Sequence, residues 1–196
     1  KTRKQIMNVD DILLLGAHNV ENACTAIAAI YDLVKPSSIV NVLKTFKGVE
    51  HRNEFVREIN GVKWYNDSIG SSPTRTIAGL LSFKDKVILM AGGYDKHLDY
   101  TELGKYIVTH VKTLILMGQT KEKIKVATQK AFSESNEAQE SLPIIECTTL
   151  EEAVCKANKI AKSGDIVFFS PASASFDMFK NFMERGDKFK ELVSKL

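Results

Sequence analysis

Four short polar segments carry residue types that could do chemistry in this chain. They are Asn66–Ser68, Gly92–Lys96, Gly118–Thr120 and Ser170–Ser175, and each follows an apolar run. Lysine ammonium groups and the backbone N–H groups at a serine-rich helix start both bind anions. The segments therefore favour a carboxylate or phosphate ligand. Taken singly, each of them could also only turn the chain or cap a helix.

The elements that must position these segments are strands and helices in alternation. Apolar runs predict strands at 86–91, 113–117, 143–147 and 166–169, and Asn60-Gly61 predicts a hairpin between 55–59 and 62–65. Caps and apolar stripes predict helices at 20–31, 36–46, 73–81, 101–109, 121–131, 150–161, 176–184 and 189–196. This alternation predicts an α/β, Rossmann-like domain with helices on both faces of a mostly parallel sheet. Its strands end at one edge, where we expect the four polar segments to converge.

The beginning of the chain follows a different pattern. Residues 10–16 predict a short buried strand ending in glycine, and two helices follow. Such a piece is too small to be a domain alone, whereas residues 49–196 suffice for one. We therefore expect a short tail at 1–48 before the domain at 49–196. Within the domain, the polar stretch 133–141 is interpreted as a solvated loop or a frayed helix end.

Composition and charge argue against several classes of protein. Lys and Arg number 27 and Asp and Glu 24, and a net charge of +3 is too small to predict binding to nucleic acid or an anionic membrane. No apolar run approaches the roughly 20 residues of a membrane span. Three cysteines without a C-x-x-C pair favour a reducing cytoplasm. No histidine has a second His or Cys at metal-ligand spacing, so a structural zinc site is not expected, and we expect no metal site.

The common glycine-rich nucleotide motifs are absent from the sequence. No G-x-G-x-x-G follows a strand, and Gly104-Lys105 is followed by Tyr106 rather than by Ser or Thr, so there is no P-loop. The phosphates of a nucleotide would need another segment to hold them.

Six motifs in a fixed order resemble those of the Mur ligases. They are His18-Asn19-x-x-Asn22, Glu50-His51-Arg52-x-Glu54, Asn66-Asp67-Ser68, Gly92-Gly93-x-Asp95-Lys96, Ser170–Asp177 and Phe179-Lys180-Asn181-Phe182-x-x-Arg185-Gly186. The resemblance covers nearly the whole chain and is closest to the branch that adds D-glutamate. The Asp-Asn-Pro-Arg motif of the branch that adds diaminopimelate or lysine is absent.

The resemblance implies the last portion of a three-domain bacterial enzyme of the cytoplasm. Residues 1–48 would end the central ATPase domain, and residues 49–196 would be the C-terminal, amino-acid-binding domain. The implied reaction belongs to peptidoglycan synthesis: ATP phosphorylates the alanyl carboxylate of UDP-N-acetylmuramoyl-L-alanine, and the amine of D-glutamate attacks the acyl phosphate. Mg²⁺ would be held mainly by the central domain. The resemblance also implies a monomer, and this chain alone would be inactive.

The resemblance assigns roles to particular residues. His51, Arg52 and Asp67 would be catalytic, and His18, Asn19, Asn22, Arg52 and Asp67 would contact ATP. Lys96, Ser175, the backbone around Phe182, and Ser71 would hold D-glutamate. Ile69 stands where the family usually has lysine, and we hypothesise that Arg75 replaces that charge. An arginine suits the charge that develops during phosphoryl transfer, and a lysine suits a dicarboxylate.

Two alternatives stay open at this point. A non-catalytic Rossmann-like module that binds a small anion or amino acid would fit a chain without a P-loop. A folylpolyglutamate synthase-like ligase would share the fold, although the segment 170–182 argues against it.

Overall fold

The contacts within the chain divide it into two units. The structure is a computed structural model that describes residues 5–14, 16–135 and 141–196. Unit 1 is Lys1–Val49 and unit 2 is Glu50–Leu196. In the described part of the chain, none of the helices combines the length and apolar character that crossing a bilayer requires.

Unit 1 contains two helices, α1 (Ala17–Ile30) and α2 (Pro36–Thr45). Pro36 begins α2, where its missing N–H costs no hydrogen bond. Between the two helices lies an apolar groove of about 180 Å³, lined by Ile27, Ile39 and Val42 among others. Val42 is 55% exposed. Unit 1 therefore presents apolar surface that its own described residues do not cover.

The predicted strand at 10–16 is wrong. A short 3-10 helix occupies Val9–Asp11, and bends follow at residues 13 and 14, while Leu15 lies outside the described residues. The backbone N–H of Leu13 donates to the carbonyl of Leu43 at 3.1 Å. A strand needs a neighbouring strand to satisfy its backbone, and the described residues of unit 1 offer none, so the segment forms turns instead.

Unit 2 is built on a six-stranded sheet. Its strands are β1 (Glu54–Ile59), β2 (Val62–Asn66), β3 (Val87–Ala91), β4 (Val111–Leu116), β5 (Ile144–Glu146) and β6 (Ile166–Phe169). Their order is β1-β2-β6-β3-β4-β5, with β1 antiparallel to β2 and the other pairs parallel. The predicted hairpin is confirmed, and Asn60 and Gly61 take the positive φ values (51° and 77°) that its tight turn requires.

Helices cover both faces of this sheet, as the sequence predicts. They are α3 (Pro73–Leu80), α4 (Thr101–His110), α5 (Lys121–Glu134), α6 (Leu150–Ile160) and α7 (Phe182–Ser194). Ile88 and Met90 of β3 join an apolar cluster with α6 and α7, whereas Leu89 joins a second cluster with α3, α4 and α5. Both faces of the sheet are buried, which is why its strands are continuous apolar runs. The predicted loop at 133–141 falls partly on residues 136–140, which lie outside the described residues.

The predicted helix at 176–184 is wrong. Residues 176–181 form turns and bends, and one continuous helix, α7, begins at Phe182. Asn181 caps it, because its side chain accepts a hydrogen bond from the Glu184 N–H at 2.9 Å. Gly186 lies inside this helix instead of ending it. A Cβ at that position would lie 2.2 Å from Nδ1 of His51, so the glycine permits a close approach.

The position of β6 creates a topological switch point at the carboxyl edge of the sheet. The chain leaves β2 and β3 towards α3 and α4 on one face, but leaves β6 towards α7 on the other face. Loops that diverge in this way from adjacent strands open a crevice, and α/β sheets bind ligands there.

Candidate functional site

The loops that follow β2, β6 and β3 meet at this edge. The Asp67 N–H donates to the carbonyl of Phe169 at 2.7 Å, and the Ser170 N–H donates to the carbonyl of Met90 at 3.2 Å. The Gly92 N–H donates to the carbonyl of Pro171 at 2.8 Å. The hydrogen bonding of the sheet thus continues into the loops and fixes the polar segments against each other.

A hydroxyl cluster joins the segment after β4 to the same place. Ser173 Oγ lies 2.8 Å from the Tyr100 hydroxyl and 2.8 Å from Thr120 Oγ1. Thr120 Oγ1 also accepts the Gly93 N–H at 3.1 Å. All four predicted polar segments therefore converge. These side chains are buried, so the cluster holds the loops together instead of facing a ligand.

Asp67 is the buried carboxylate of the site. Its Oδ2 accepts a hydrogen bond from Ser170 Oγ at 2.7 Å, and its Oδ1 accepts the Asn53 N–H at 3.2 Å. Burial raises the pKa of Asp67 to about 6, because the charged form loses its hydration. Hydrogen bonds from Ser170 and Asn53, and the charges of Arg52 and Arg75, act in the opposite direction. Both arginines are exposed, so two accessible cations flank this carboxylate.

His51 is buried and held on several sides. Its Nδ1 lies 3.0 Å from Asn66 Nδ2, which also donates to Glu54 Oε2 at 3.0 Å. An amide N–H can only donate, so in this contact Nδ1 of His51 is the acceptor. Nε2 faces Asp187 Oδ1 at 3.8 Å. His51 therefore has a fixed orientation at the beginning of unit 2, next to the exposed Arg52.

Arg185 is a central residue of the site to which the sequence analysis gave no role. Its guanidinium is 1% exposed and donates to the carbonyls of Ser68, Ser173 and Ala174 at 2.8, 3.0 and 3.0 Å, and to Ser68 Oγ at 3.0 Å. Burial lowers its pKa to about 10. Arg185 thus ties α7 to the loops after β2 and β6. The signal in the sequence was that it falls on the apolar stripe of α7, four residues before Phe189.

The residues predicted to hold D-glutamate lie at these loops but differ in exposure. Lys96 is exposed, Ser71 is half-buried and Ser175 is buried. The carbonyl of Phe182 accepts a hydrogen bond from Ser68 Oγ at 2.8 Å. Arg75 is exposed in the first turn of α3.

The reason given for an anion site at Ser170–Ser175 is wrong. It required a helix to begin directly after the serines, and residues 176–181 form turns and bends. The serines therefore do not themselves form the first turn of a helix. The backbone carbonyl of Ser175 instead accepts the N–H groups of Met178 and Phe179 at 3.1 and 2.8 Å.

The residues predicted to contact the adenine lie in unit 1. Asn22 is exposed on α1, and its Nδ2 donates to Asn19 Oδ1 at 3.4 Å. His18 is also a residue of α1, and its side chain lies outside the described part.

One group of side chains has atoms of the kind that bind metals. Ligand atoms of Glu50, His51 and Asp187 lie within 4.8 Å of one another. The ammonium of Lys190 contacts Glu50 and lies 3.3 Å from Asp187, so a cation already compensates these carboxylates. The expectation of no metal site in this chain stays a prediction.

Comparison with known proteins identifies the family. The family described as Mur ligase, glutamate ligase domain, matches residues 51–173, which contain most of the sheet and its carboxyl edge. The chain belongs to the Mur ligase family, which confirms the resemblance seen in the sequence.

Two curated relatives show which members of the family this chain is similar to. The chain is 56% identical over 196 residues to a UDP-N-acetylmuramoylalanine–D-glutamate ligase of Acetivibrio thermocellus, covering 100% of the chain and 42% of that protein. It is 53% identical over 192 residues to the ligase of the same name in Clostridium acetobutylicum, covering 98% and 41%. The chain thus spans well under half the length of these relatives.

Solved structures confirm the fold class. A UDP-N-acetylmuramate–alanine ligase of Thermotoga maritima superposes with a TM-score of 0.65 at 14% identity, covering 93% of this chain and 39% of that one. A folylpolyglutamate synthase of Mycobacterium tuberculosis, complexed with ADP, superposes with a TM-score of 0.64 at 12% identity, covering 91% and 41%. At such identities the likeness shows a shared Rossmann-like α/β fold.

Proposed function

We propose that this chain is the C-terminal part of an ATP-dependent ligase of peptidoglycan synthesis in the bacterial cytoplasm. The enzyme joins D-glutamate to UDP-N-acetylmuramoyl-L-alanine through an acyl phosphate, and acts as a monomer. The observation that carries the proposal is the 56% identity, across all 196 residues, with a UDP-N-acetylmuramoylalanine–D-glutamate ligase. The chain covers 42% of that relative. In this proposal, the remaining part of the enzyme supplies the phosphate cradle and most of the Mg²⁺ ligands.

Residues 1–48 are, in this proposal, the end of the central ATP-binding domain, and residues 49–196 are the amino-acid-binding domain. The apolar groove between α1 and α2 supports this assignment, because a helix pair with uncovered apolar surface is expected to pack on further structure. The family match to residues 51–173 supports the assignment of residues 49–196 as the amino-acid-binding domain.

Five residues are assigned to the ATP side of the reaction. His18, Asn19 and Asn22 contact the adenine, whose edge offers both donors and acceptors. Arg52 meets the charge on the transferring phosphoryl group, a role that its exposed guanidinium suits. Asp67 and His51 lie near Arg52. Ser170 holds Asp67 in a fixed orientation, and Asn66 does the same for His51. ATP supplies the phosphoryl group that activates the alanyl carboxylate.

The D-glutamate side needs cations for two carboxylates. Lys96 supplies one cation, and Ser71, Ser175 and the backbone of Phe182 supply further polar contacts. Arg75 supplies the charge that Ile69 lacks. In support, Arg75 lies close enough to Asp67 for its charge to lower the pKa of that carboxyl.

The proposal is tested by phosphate release from the full-length enzyme that contains this chain. Release is expected when ATP, UDP-N-acetylmuramoyl-L-alanine and D-glutamate are all present, and not when L-glutamate replaces D-glutamate. Phosphate release with a folylpolyglutamate acceptor instead would identify a folylpolyglutamate synthase-like ligase. Binding of D-glutamate without any turnover would identify a binding module.

The role of Arg75 is tested in the same assay. The Arg75→Ala change should raise the KM for D-glutamate by roughly tenfold or more, because a hydrogen bond to a charged group contributes about 1.5–3 kcal/mol. Arg57→Ala is the matched control, since this exposed arginine of β1 donates to the carbonyl of Ser194, at the opposite end of α7 from Phe182. An unchanged KM in Arg75→Ala would contradict the assignment.

A further inference from the structure

We infer that Phe176 is a positioning residue that holds the Lys96 ammonium for a substrate carboxylate, an inference that rests on the proposed function. Lys96 Nζ lies 5.4 Å from the centroid of the Phe176 ring. This distance is within the roughly 6 Å at which a cation is attracted to an aromatic face. Phe176 lies within the Ser170–Asp177 motif, but the resemblance assigns it no role, and the family match ends at residue 173.

The charge of Lys96 is available to a ligand. Among the described residues, no carboxylate lies within ion-pair distance of its ammonium, and the Phe176 ring is the contact that orients it. The neighbouring Lys123 differs, because Asp95 Oδ2 lies 2.5 Å from its ammonium. Lys96 is therefore a cation held at the rim of the site without being neutralised.

Phe176 does not serve the apolar core. Its side chain is 58% exposed, and it belongs to neither apolar cluster of unit 2. The ring of Tyr94, itself 37% exposed, contacts it edge-on with centroids 5.9 Å apart and an interplanar angle of 75°. Two exposed aromatic rings and a lysine therefore form one continuous group, which we name the rim group: Tyr94, Lys96 and Phe176.

Backbone hydrogen bonds between the loops after β3 and β6 hold the rim group in place. Tyr94 and Ala174 form an antiparallel bridge, in which the Tyr94 N–H donates to the Ala174 carbonyl at 2.9 Å. The same carbonyl accepts a hydrogen bond from buried Arg185 at 3.0 Å. Phe176 lies two residues beyond this bridge and Lys96 two residues beyond Tyr94. The loops after β3 and β6 thus bring the ring and the ammonium together.

Holding the lysine improves binding because a free lysine side chain is flexible. A ligand that contacts a free lysine must order its four-carbon stem, which weakens binding. A ring under one side of the ammonium restricts the stem in advance. The ammonium has three N–H donors and the ring faces one side, so donors remain for a carboxylate.

The test uses the full-length ligase and measures KM and kcat for D-glutamate separately. Phe176→Leu should raise the KM about two- to fivefold, as expected for the loss of an exposed cation–π contact, with kcat unchanged. Phe176→Trp, in contrast, should keep the KM at the wild-type value, because tryptophan presents the best aromatic face to a cation. In a Lys96→Ala background, Phe176→Leu should have no further effect.

Phe55→Leu is the matched control. Phe55 is 52% exposed and contacts Tyr65 edge-on at 5.5 Å, as Phe176 contacts Tyr94, but no cation lies over its ring in the described part of the structure. Its KM should equal that of the wild type. Thermal unfolding of all variants checks that they are folded.

Three outcomes would overturn the inference. If Lys96→Ala raises the KM but Phe176→Leu does not, Phe176 has no positioning role and the proposed function stands. If Phe176→Leu raises the KM equally in the Lys96→Ala background, the ring acts independently of Lys96. If neither change alters the KM, the proposed role of Lys96 fails as well.

Discussion

Asp67 and Arg185 place two charges in the interior at the edge of the sheet. Neither forms an ion pair in the described residues, and each is held by neutral partners: Ser170 and the Asn53 N–H for Asp67, backbone carbonyls and a serine for Arg185. Burial moves both pKa values towards the neutral forms, to about 6 and about 10. At neutral pH both groups are still mainly charged. Their polar partners therefore have to replace water.

Asp67 makes the stability of the chain depend on pH in a definite direction. Its pKa is higher in the folded chain, at about 6, than the ordinary 3.8, so the folded state binds the proton more tightly. Compared with Asp67→Asn, the wild type should lose stability as pH rises from about 4 to about 6, and then level off. The loss should approach roughly 3 kcal/mol, since each pKa unit corresponds to about 1.36 kcal/mol.

Urea denaturation of the wild type and of Asp67→Asn at several pH values measures this difference. The asparagine keeps an acceptor for the Asn53 N–H and a donor for Ser170, so other titrating groups cancel in the comparison. A difference in unfolding free energy that stays constant with pH would mean that the carboxyl is not desolvated in the folded state.

The sequence predicts the role of a residue when its type and its place after a strand define that role. It does not predict a role that depends on contacts with distant parts of the chain. The convergence of the polar segments follows from the parallel topology, so Asp67 and Lys96 were correctly placed at one edge. The hydrogen bonds of Arg185 were not predictable, because its acceptors come from residues more than a hundred positions earlier as well as from a nearby loop. Residue types alone do not tell which polar groups a fold buries together.

At the level of elements, the beginning of α7 illustrates how a cap defines a helix. Asn181 accepts the Glu184 N–H, and Glu184 Oε2 accepts the Lys180 N–H at 2.8 Å. The first bond satisfies an N–H group that the helix start leaves free, and the second ties the residue before the cap to the first turn. The side chain of Ser72, which precedes α3, makes no such bond and instead lies 3.2 Å from Thr74 Oγ1.

Removing the cap of α7 should therefore destabilise the chain more than the matched change at α3. Asn181→Ala is expected to lower the unfolding free energy by about 1 kcal/mol, the usual contribution of a helix cap. Ser72→Ala should change it by less than about 0.5 kcal/mol. Equal effects in chemical denaturation would show that the Asn181 bond contributes nothing to stability.

The two wrong elements have different physical causes. The apolar run 10–16 has strand character, but a strand forms only beside another strand, and that partner is not specified locally. The aromatic spacing at 176–182 is helical, yet the Asn181–Glu184 pair begins the helix later. The gap between the predicted helices 176–184 and 189–196 contains Gly186, a typical helix breaker, but this glycine lies inside α7 and allows the close approach of His51.

At the scale of the whole chain, the apolar core belongs to unit 2. Both apolar clusters draw all their members from residues beyond position 50. The division of contacts after Val49 agrees with this distribution. Unit 2 should then fold without unit 1.

A chain that begins at Glu50 tests this expectation. Its thermal unfolding should be cooperative, with a midpoint within about 4 °C of the main transition of the 196-residue chain, a shift that corresponds to about 1 kcal/mol at this size. Loss of a cooperative transition would mean that residues 1–49 are needed to complete the core.

The strand β6 lies in the middle of the sheet although, in chain order, it is the last of the described strands. It pairs with both β2 and β3, so the β1–β2 hairpin and the β3–β4–β5 group stay separate until residues 166–169 are synthesised. Pairing between distant segments is slow, because a long loop must close first. The nascent chain therefore carries unpaired edges on β2 and β3 until β6 is synthesised, and this one late insertion both joins the sheet and brings the loops of the site together.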